Sequence, residues 1–137
     1  MGDFSAIDIS ASGLSAQRRR LDTIAENIAN AETTRTERGG PYRRKQVVFE
    51  ELASRELEQG QQGVKVREVI EDSRPPHLVY RPGHPDADAN GYVAMPNVSI
   101  VEEMVDMISA TRSYEANATA INATKAMARK ALELGRS

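Results

Sequence analysis

The two ends of this chain repeat apolar residues with helical spacing, and this repeat constrains the fold more than any other feature. Near the N-terminus, apolar residues recur every seven positions: Ile7, Leu14, Leu21 and Ile28. Near the C-terminus, the steps alternate between three and four residues: Met104, Met107, Thr111, Tyr114, Ala118, Ile121, Lys125, Ala128 and Leu132. A stripe of this period stays continuous only when helices supercoil around a partner. The pattern therefore predicts a mainly α protein whose terminal helices form a coiled coil.

The middle of the chain differs from its ends in composition and in the spacing of its apolar residues. All six prolines and six of the nine glycines lie between Glu32 and Pro96, where apolar residues come in short alternating runs. Such runs bounded by turn residues predict short strands, which we place at Tyr42–Glu50, Val64–Ile70, Leu78–Arg81 and Tyr92–Met95. Glu50–Gln59 fits a short helix as an alternative. We therefore expect an N-terminal helical segment (1–31), a strand-containing lobe (32–96) and a C-terminal helical segment (97–137).

Capping signals mark where the two helices begin. Ser5 with Asp8 resembles a capping box, and helical spacing then continues to about Asn30. Ser99 with Glu102 forms a second capping box directly after Pro96, and the pattern lasts until Gly135. At 1.5 Å per residue, the second helix would be roughly 50 Å long.

Composition excludes several classes of function. The net charge of −2 argues against a general nucleic-acid binder, which needs an excess of basic residues. The sequence contains no run of eighteen apolar residues that would span a membrane, so we predict no membrane insertion. The absence of cysteine excludes disulfides and thiolate zinc sites. The N-terminal sequence MGDFSAIDIS shows no cleavable secretory signal. With two Phe, four Tyr and no Trp, the hydrophobic core should be small.

One segment resembles a metal site. Asp86 to Gly91 matches the first half of a calcium-binding loop, but Asn97 stands where the bidentate Glu is needed, so a tight acidic turn is favoured. His77 and His84 lie in the same proline-rich stretch without a third zinc ligand at suitable spacing. No catalytic motif occurs. We therefore predict no cofactor, no metal and no enzymatic activity.

Polar residues near the predicted helix ends leave alternatives open. Asn27 and Asn30 could cap the first helix or hydrogen-bond across a helix seam. The basic runs at 18–20 and 43–45 fit either a solvated helix face and an exposed strand rim, or contacts with acidic neighbours. The many alanines of the C-terminal segment fit simple helix propensity or close helix packing. Lys125 interrupts the stripe, where it could snorkel or fix the register.

Three groups of residues resemble one protein family. The run from Leu21 to Ala31, followed by Thr33 and Thr34, is similar to the N-terminal signature of bacterial flagellar rod and hook proteins. Gly39 to Lys45 and the run from His84 to Val98 resemble the proximal rod proteins within that family. Further C-terminal matches extend the resemblance over nearly the whole chain: Glu102, Glu103, Met104, Val105, Ile108, Ala110, Arg112, Tyr114, Glu115 and Asn117.

The resemblance implies a structural subunit of the proximal rod. Its terminal helices would pair in an inner coiled-coil domain, with the C-terminal helix nearer the axial channel and the middle segment forming an outer lobe. Export would use the flagellar type III apparatus without signal cleavage, and the periplasmic rod would transmit torque. Expected partners are other rod subunits, further copies of the chain and the rod-base adaptor. The open alternative is a soluble coiled-coil binding module or secreted effector that forms a closed oligomer.

The expected assembly surface combines the helical stripes with neighbouring residues. It comprises Ile7, Leu14, Leu21, Ile24, Asn27, Ile28, Asn30, Met104, Met107, Ile108, Thr111, Tyr114, Ala118, Ile121, Ala128 and Leu132.

Overall fold

Two long helices dominate the computed structural model, which describes residues 2–52 and 63–136. Helix α1 spans Gly2–Ala29, and helix α2 spans Ile100–Gly135, which at 1.5 Å per residue is about 54 Å long. The helices pack side by side and antiparallel, since Asn27 near the end of α1 meets Glu103 near the start of α2, and Gly13 lies against Asn117. We call them the helix pair. Neither helix is long and apolar enough to cross a membrane, among the residues described.

The start of α2 confirms its predicted cap, whereas the start of α1 corrects one. The side-chain oxygen of Ser99 accepts a hydrogen bond from the backbone N–H of Glu102 at 3.4 Å, and α2 ends at Gly135 as expected. Helix α1 already begins at Gly2, so the predicted capping box at Ser5 is wrong. No proline precedes Ser5 to stop the helix from extending toward the N-terminus.

All four predicted strands are present, in two separate antiparallel sheets. Strand β1 (Lys45–Glu51) pairs with β2 (Val64–Glu71), and β3 (His77–Tyr80) pairs with β4 (Tyr92–Met95). The alternative prediction of a helix at Glu50–Gln59 is wrong at Glu50 and Glu51, because these residues belong to β1. The residues of that predicted helix from 53 onward lie outside the described residues. The first sheet packs against α1 through both of its strands.

The buried core is as small as the composition predicts. Its apolar members among the described residues are Ala16, Ile24, Tyr42, Val93, Met95 and Ala110. Polar side chains are buried with them. Glu103 and Asn27 are 0% and 1% exposed, so the contact between α1 and α2 is partly a hydrogen-bonded one.

Candidate functional site

A buried polar cluster joins both helices to the first sheet at the point where α1 ends and α2 begins. Its members are Asn27, Tyr42, Arg44, Asp72, Glu103 and Asp106. Five of the six are buried, and Asp106 is half-buried. Buried charges are tolerated when they are paired and hydrogen-bonded. The geometry of this cluster meets that condition.

Arg44 is the centre of the cluster. Its Nε donates to Glu103 Oε1, its Nη1 donates to Asp72 Oδ2 at 3.3 Å, and its Nη2 donates to Asp106 Oδ2 at 3.2 Å. The guanidinium group suits this arrangement because its donors point in fixed directions. A single side chain therefore connects α2 at two positions to the residue that follows β2.

Asn27 connects α1 to the same cluster and uses all its hydrogen-bonding capacity. Its Nδ2 donates to the backbone oxygen of Lys45 at 2.9 Å and to Glu103 Oε2 at 3.1 Å. Its Oδ1 accepts from the Tyr42 hydroxyl at 2.8 Å and from the Lys45 backbone N–H at 2.9 Å. Of the two alternatives for the asparagines, Asn27 hydrogen-bonds across the helix pair.

Asn30 takes the other role, as a cap. Its Nδ2 donates to the backbone oxygen of Glu26 at 2.9 Å, and its Oδ1 accepts from the Thr33 hydroxyl at 3.1 Å. These bonds satisfy a carbonyl group at the end of α1.

Asn97, which precedes α2, hydrogen-bonds both to Arg44 of the cluster and to Arg74 in the segment between β2 and β3. Its Oδ1 accepts from the Arg44 backbone N–H at 2.8 Å, and its Nδ2 donates to the backbone oxygen of Arg74 at 2.9 Å. The position that would carry a calcium-binding Glu therefore joins the segment before α2 to Arg44 and Arg74 instead. The described residues contain no group of three His, Cys, Asp or Glu side chains that could hold a metal.

Three members of the cluster, Tyr42, Arg44 and Asp72, have shifted pKa values. Burial raises the pKa of Tyr42 to about 12, and the negative charges of Glu26 and Glu103 contribute further, so its hydroxyl remains a donor to Asn27. Burial works to lower the pKa of Arg44, but the hydrogen bonds and charges of Glu103 and Asp72 outweigh it and raise that pKa. Arg44 is therefore always charged.

Asp72 should make the fold sensitive to acid. Hydrogen bonds from Arg74 lower the pKa of Asp72 to about 2 from 3.8, against the opposing effect of its burial. Because the pKa of Asp72 is lower in the folded state, its ionised carboxylate stabilises the fold above pH 4, and this stabilisation is lost as pH falls toward 2.

Denaturant unfolding at stepwise pH should show that Asp72→Asn lowers the unfolding free energy by about 2 kcal/mol at pH 7 and by much less at pH 2. A difference that stays constant with pH contradicts this assignment, and exposed Asp22→Asn is the control.

A close approach of the two helices occurs farther along the pair, at Gly13. A Cβ atom built on Gly13 would lie 2.8 Å from the side-chain nitrogen of Asn117. Asn117 itself donates to the backbone oxygen of Ser113 at 2.9 Å. Gly13, which looks like a weak point in a helical pattern, therefore makes room for α2.

Four of the predicted heptad residues lie beside the helix contact rather than in its centre. Leu14 and Ile28 directly follow Gly13 and Asn27, while Met104 and Ala118 directly follow Glu103 and Asn117. Successive residues of an α-helix are rotated by about 100° around its axis. In two antiparallel helices, the residues that directly follow the contacting residues therefore point to the same side of the pair. Ser12, Ala16 and Arg19 of α1 line a groove against β2, so this side of the helix pair faces the first sheet. The heptad residues lie on the side of the pair that faces away from the first sheet. We call this side the heptad face.

The heptad face is uncovered toward its α2 edge. Met104 is 55% exposed and Tyr114 is 37% exposed, while Thr111 and Lys125 are also exposed. On α1, the face is half-buried at Ile7, Leu14, Leu21 and Ile28. Several predicted surface residues instead lie within the chain: Ile24 and Asn27 are buried, and Asn30, Met107, Ala118, Ile121 and Ala128 are half-buried. Ile108 and Leu132 are 56% and 69% exposed.

The acidic segment after His84 forms turns and contacts the loop that follows α1. Asp86 accepts from the Thr34 hydroxyl at 2.7 Å and from Arg35 at 2.5 Å, and its backbone N–H donates to His84 Nδ1 at 3.0 Å. Asp88 accepts from the backbone N–H groups of Asn90 and Tyr92, both at 2.9 Å. These carboxylates therefore hold loops in place.

The chain is similar to flagellar rod proteins at both ends and over its full length. A family described as flagella basal body rod protein matches residues 7–35, and one described as the flagellar basal body rod FlgEFG protein C-terminal matches residues 89–134. The flagellar basal-body rod protein FlgC of Salmonella typhimurium is 50% identical over 135 residues, covering 98% of this chain and 99% of that protein. The chain belongs to the FlgC family.

Relatives from distant bacteria support the same membership. The FlgC protein of Borreliella burgdorferi is 47% identical over 149 residues, covering 98% of both chains. That of Bacillus subtilis is 47% identical over 150 residues, covering 99% of this chain and 100% of that protein. This FlgC-family chain is a structural subunit of the flagellar basal-body rod and not an enzyme. It belongs to the basal body and assembles with other rod components.

The sequence of this FlgC-family chain gave no sign that Arg44 is buried. The run 43–45 fitted an exposed strand rim, and this is wrong for Arg44, whose side chain is only 10% exposed. The alternative, contact with acidic neighbours, is confirmed for Arg44 and for Lys45, whose Nζ lies 2.7 Å from Glu26. In the run 18–20, Arg18 and Arg19 are exposed as a solvated helix face requires, and Arg20 lies 3.8 Å from Asp106. In the sequence, the buried partner Glu103 stands out only among the C-terminal residues that resemble the family, without a sign that it is buried.

Proposed function

We propose that this FlgC-family chain is a subunit of the proximal rod that polymerises through its terminal helices into a drive shaft. The shaft would transmit torque and surround the export channel. The single observation that supports this proposal most directly is the uncovered heptad face, because an apolar stripe of that period is a surface for further helices. Residues 1–31 and 97–137 would form the inner coiled-coil domain, and residues 32–96 the outer lobe.

The sixteen residues of the expected assembly surface divide into two roles under this proposal. Those buried or half-buried in the chain, such as Asn27 and Ile121, would hold α1 and α2 in register. Those on the uncovered edge, such as Met104, Tyr114 and Leu132, would contact neighbouring subunits. The buried polar cluster would set the position of the helix pair relative to the lobe, as a stiff shaft requires.

The proposal includes a route and a set of partners. The subunit would leave the cell through the flagellar type III export apparatus without signal cleavage and enter the periplasmic rod. There it would contact other rod subunits, further copies of itself and the rod-base adaptor. The FlgC names of its relatives and the match to a FlgEFG-type C-terminal segment support contacts with other rod subunits.

A gene replacement tests the function. Deleting the gene in its own bacterium should abolish swimming and leave basal bodies without rods, and the intact gene should restore both. Thr111→Asp should fail to restore swimming although the purified chain folds, because the charge lies on the exposed heptad face. Ala116→Asp places the same charge on an exposed position about 140° around α2 and is the matched control. Complete rods in the deletion strain, or equal swimming of both variants, would contradict the proposal.

A further inference from the structure

Methionine provides the only sulfur atoms of this chain, which contains five methionines and no cysteine. The described residues include four of the five, and these four differ in exposure. Met104 and Met127 on α2 are 55% and 68% exposed. Met107 is half-buried, and Met95 of β4 is only 8% exposed. An oxidant reaches an exposed thioether directly but a buried one only when the chain opens locally, so Met104 and Met127 should react first.

Met104 lies within an uncovered apolar surface. Residues three and four positions apart on an α-helix are neighbours, which places Ile100, Val101 and Ile108 beside Met104. These three side chains are 42%, 71% and 56% exposed. A change in the polarity of the Met104 side chain therefore changes the centre of this apolar surface.

Met127 is equally accessible but has different neighbours. Its surroundings on the helix, residues 123–131, contain no other large apolar side chain. Its neighbours at helical spacing include Thr124 and Lys130, which are polar. Met127 therefore undergoes the same chemistry outside an apolar surface, which makes it an internal control for Met104.

We propose that Met104 is an oxidation site at which peroxide blocks incorporation of the free chain into the rod. The inference rests on the proposed function. The Met104 sulfur attacks one oxygen of hydrogen peroxide, so an S–O bond forms and the O–O bond breaks. The proton of the transferred oxygen passes to the departing oxygen, which leaves as water. The sulfur loses two electrons, peroxide gains them, and the product is methionine sulfoxide.

The sulfoxide acts on assembly rather than on folding. It converts a flexible apolar side chain into a polar one, which is solvated by water but not by the apolar side of another helix. Because Met104 is exposed in the free chain, its oxidation leaves the contacts within the chain intact. Reduction of the sulfoxide regenerates methionine, so the block is reversible. In the rod, a neighbouring subunit would cover Met104 and protect it.

Peptide mass spectrometry of the purified chain in dilute hydrogen peroxide tests the chemistry. Met104 and Met127 should gain oxygen at similar rates, and Met95 at no more than about one fifth of their rate. In purified basal bodies, Met104 should react at no more than about one fifth of its rate in the free chain. The inference is overturned if Met95 reacts as fast as Met104, or if Met104 is unprotected in the rod.

Variants at position 104 test the consequence in the deletion strain. Met104→Leu keeps an apolar side chain of similar volume that peroxide cannot oxidise, and should form rods like the parent. Met104→Gln carries a polar amide in place of the sulfoxide, and should reduce the number of complete rods at least about fivefold. Met127→Gln makes the same change at the other exposed methionine and should leave that number unchanged.

A sublethal peroxide pulse during rod formation tests oxidation itself. The parent should complete at most about half as many new rods as the Met104→Leu strain, because oxidation of every other rod protein affects both strains equally. Equal numbers of new rods in the two strains would overturn the inference.

Urea unfolding separates a defect in assembly from a defect in folding. Met104→Gln should unfold at the urea concentration of the parent, because position 104 is exposed. Unfolding at a lower concentration would overturn the inference, as would normal rods in Met104→Gln cells or missing rods in Met104→Leu cells. A parent chain that is absent from the rods would instead overturn the proposed function.

Discussion

Replacing Arg44 by Met is expected to lower the unfolding free energy by about 3–5 kcal/mol. The substitution removes one positive charge from three carboxylates, of which Glu103 is 0% exposed and Asp72 is 7% exposed in its side chain. Removing one partner of a buried pair leaves the other charged and without compensation, which is more harmful than removing both. Loss of the cluster would also release α2 from the first sheet, so rod assembly should fail.

Urea unfolding followed by circular dichroism measures the effect. Arg43→Met is the matched control, because Arg43 is the exposed neighbour in the same run and its loss should change the free energy by less than about 0.5 kcal/mol. Arg44→Lys should fall between the two, since an ammonium group keeps the charge but cannot reach three carboxylates with a planar fork. If the Arg43 and Arg44 variants unfold at the same urea concentration, the cluster does not stabilise the fold.

The elements of the fold could be predicted because each depends on a local pattern. The Ser99 cap, the four alternating strand runs and the long periodic stretch before Gly135 are all signals within a few residues of sequence. The exception was the start of α1 at Gly2, where a capping motif inside the helix was mistaken for its beginning. Capping residues also occur within helices, so their position alone does not fix a helix end.

The buried polar cluster could not be predicted because its members are far apart in sequence. Arg44 and Glu103 are separated by 59 residues, and Asn27 and Glu103 by 76. A charged residue in a polar run is usually exposed, and only the tertiary contact decides otherwise. Likewise, Gly13 is understood only when Asn117 of α2 is seen beside it. The heptad stripe was visible, but not that four of its members, Leu14, Ile28, Met104 and Ala118, lie one residue to the side of the helix contact.

Replacing Ile121 by Asp is expected to abolish swimming and rod completion. Ile121 follows Glu103 by eighteen residues, which is five helical turns, so it lies on the same side of α2 as Glu103, Ala110 and Asn117. That side contacts α1, and Ile121 is half-buried there. An unpaired carboxylate at this contact should lower the free energy of unfolding by several kcal/mol, or force α2 to turn and expose its apolar side.

The measurement combines a swimming assay, purification of basal bodies and blotting for the secreted subunit. Ile121→Asp should still be exported, because we expect the export signal to lie nearer the N-terminus, but it should be missing from rods. Asn122→Asp adds the same charge at the next residue, which is exposed, and should leave swimming close to that of the parent. His84→Ala, in the loop that contains no metal group among the described residues, should also swim. If Ile121→Asp cells swim normally while His84→Ala cells do not, the loop rather than the helix pair determines function.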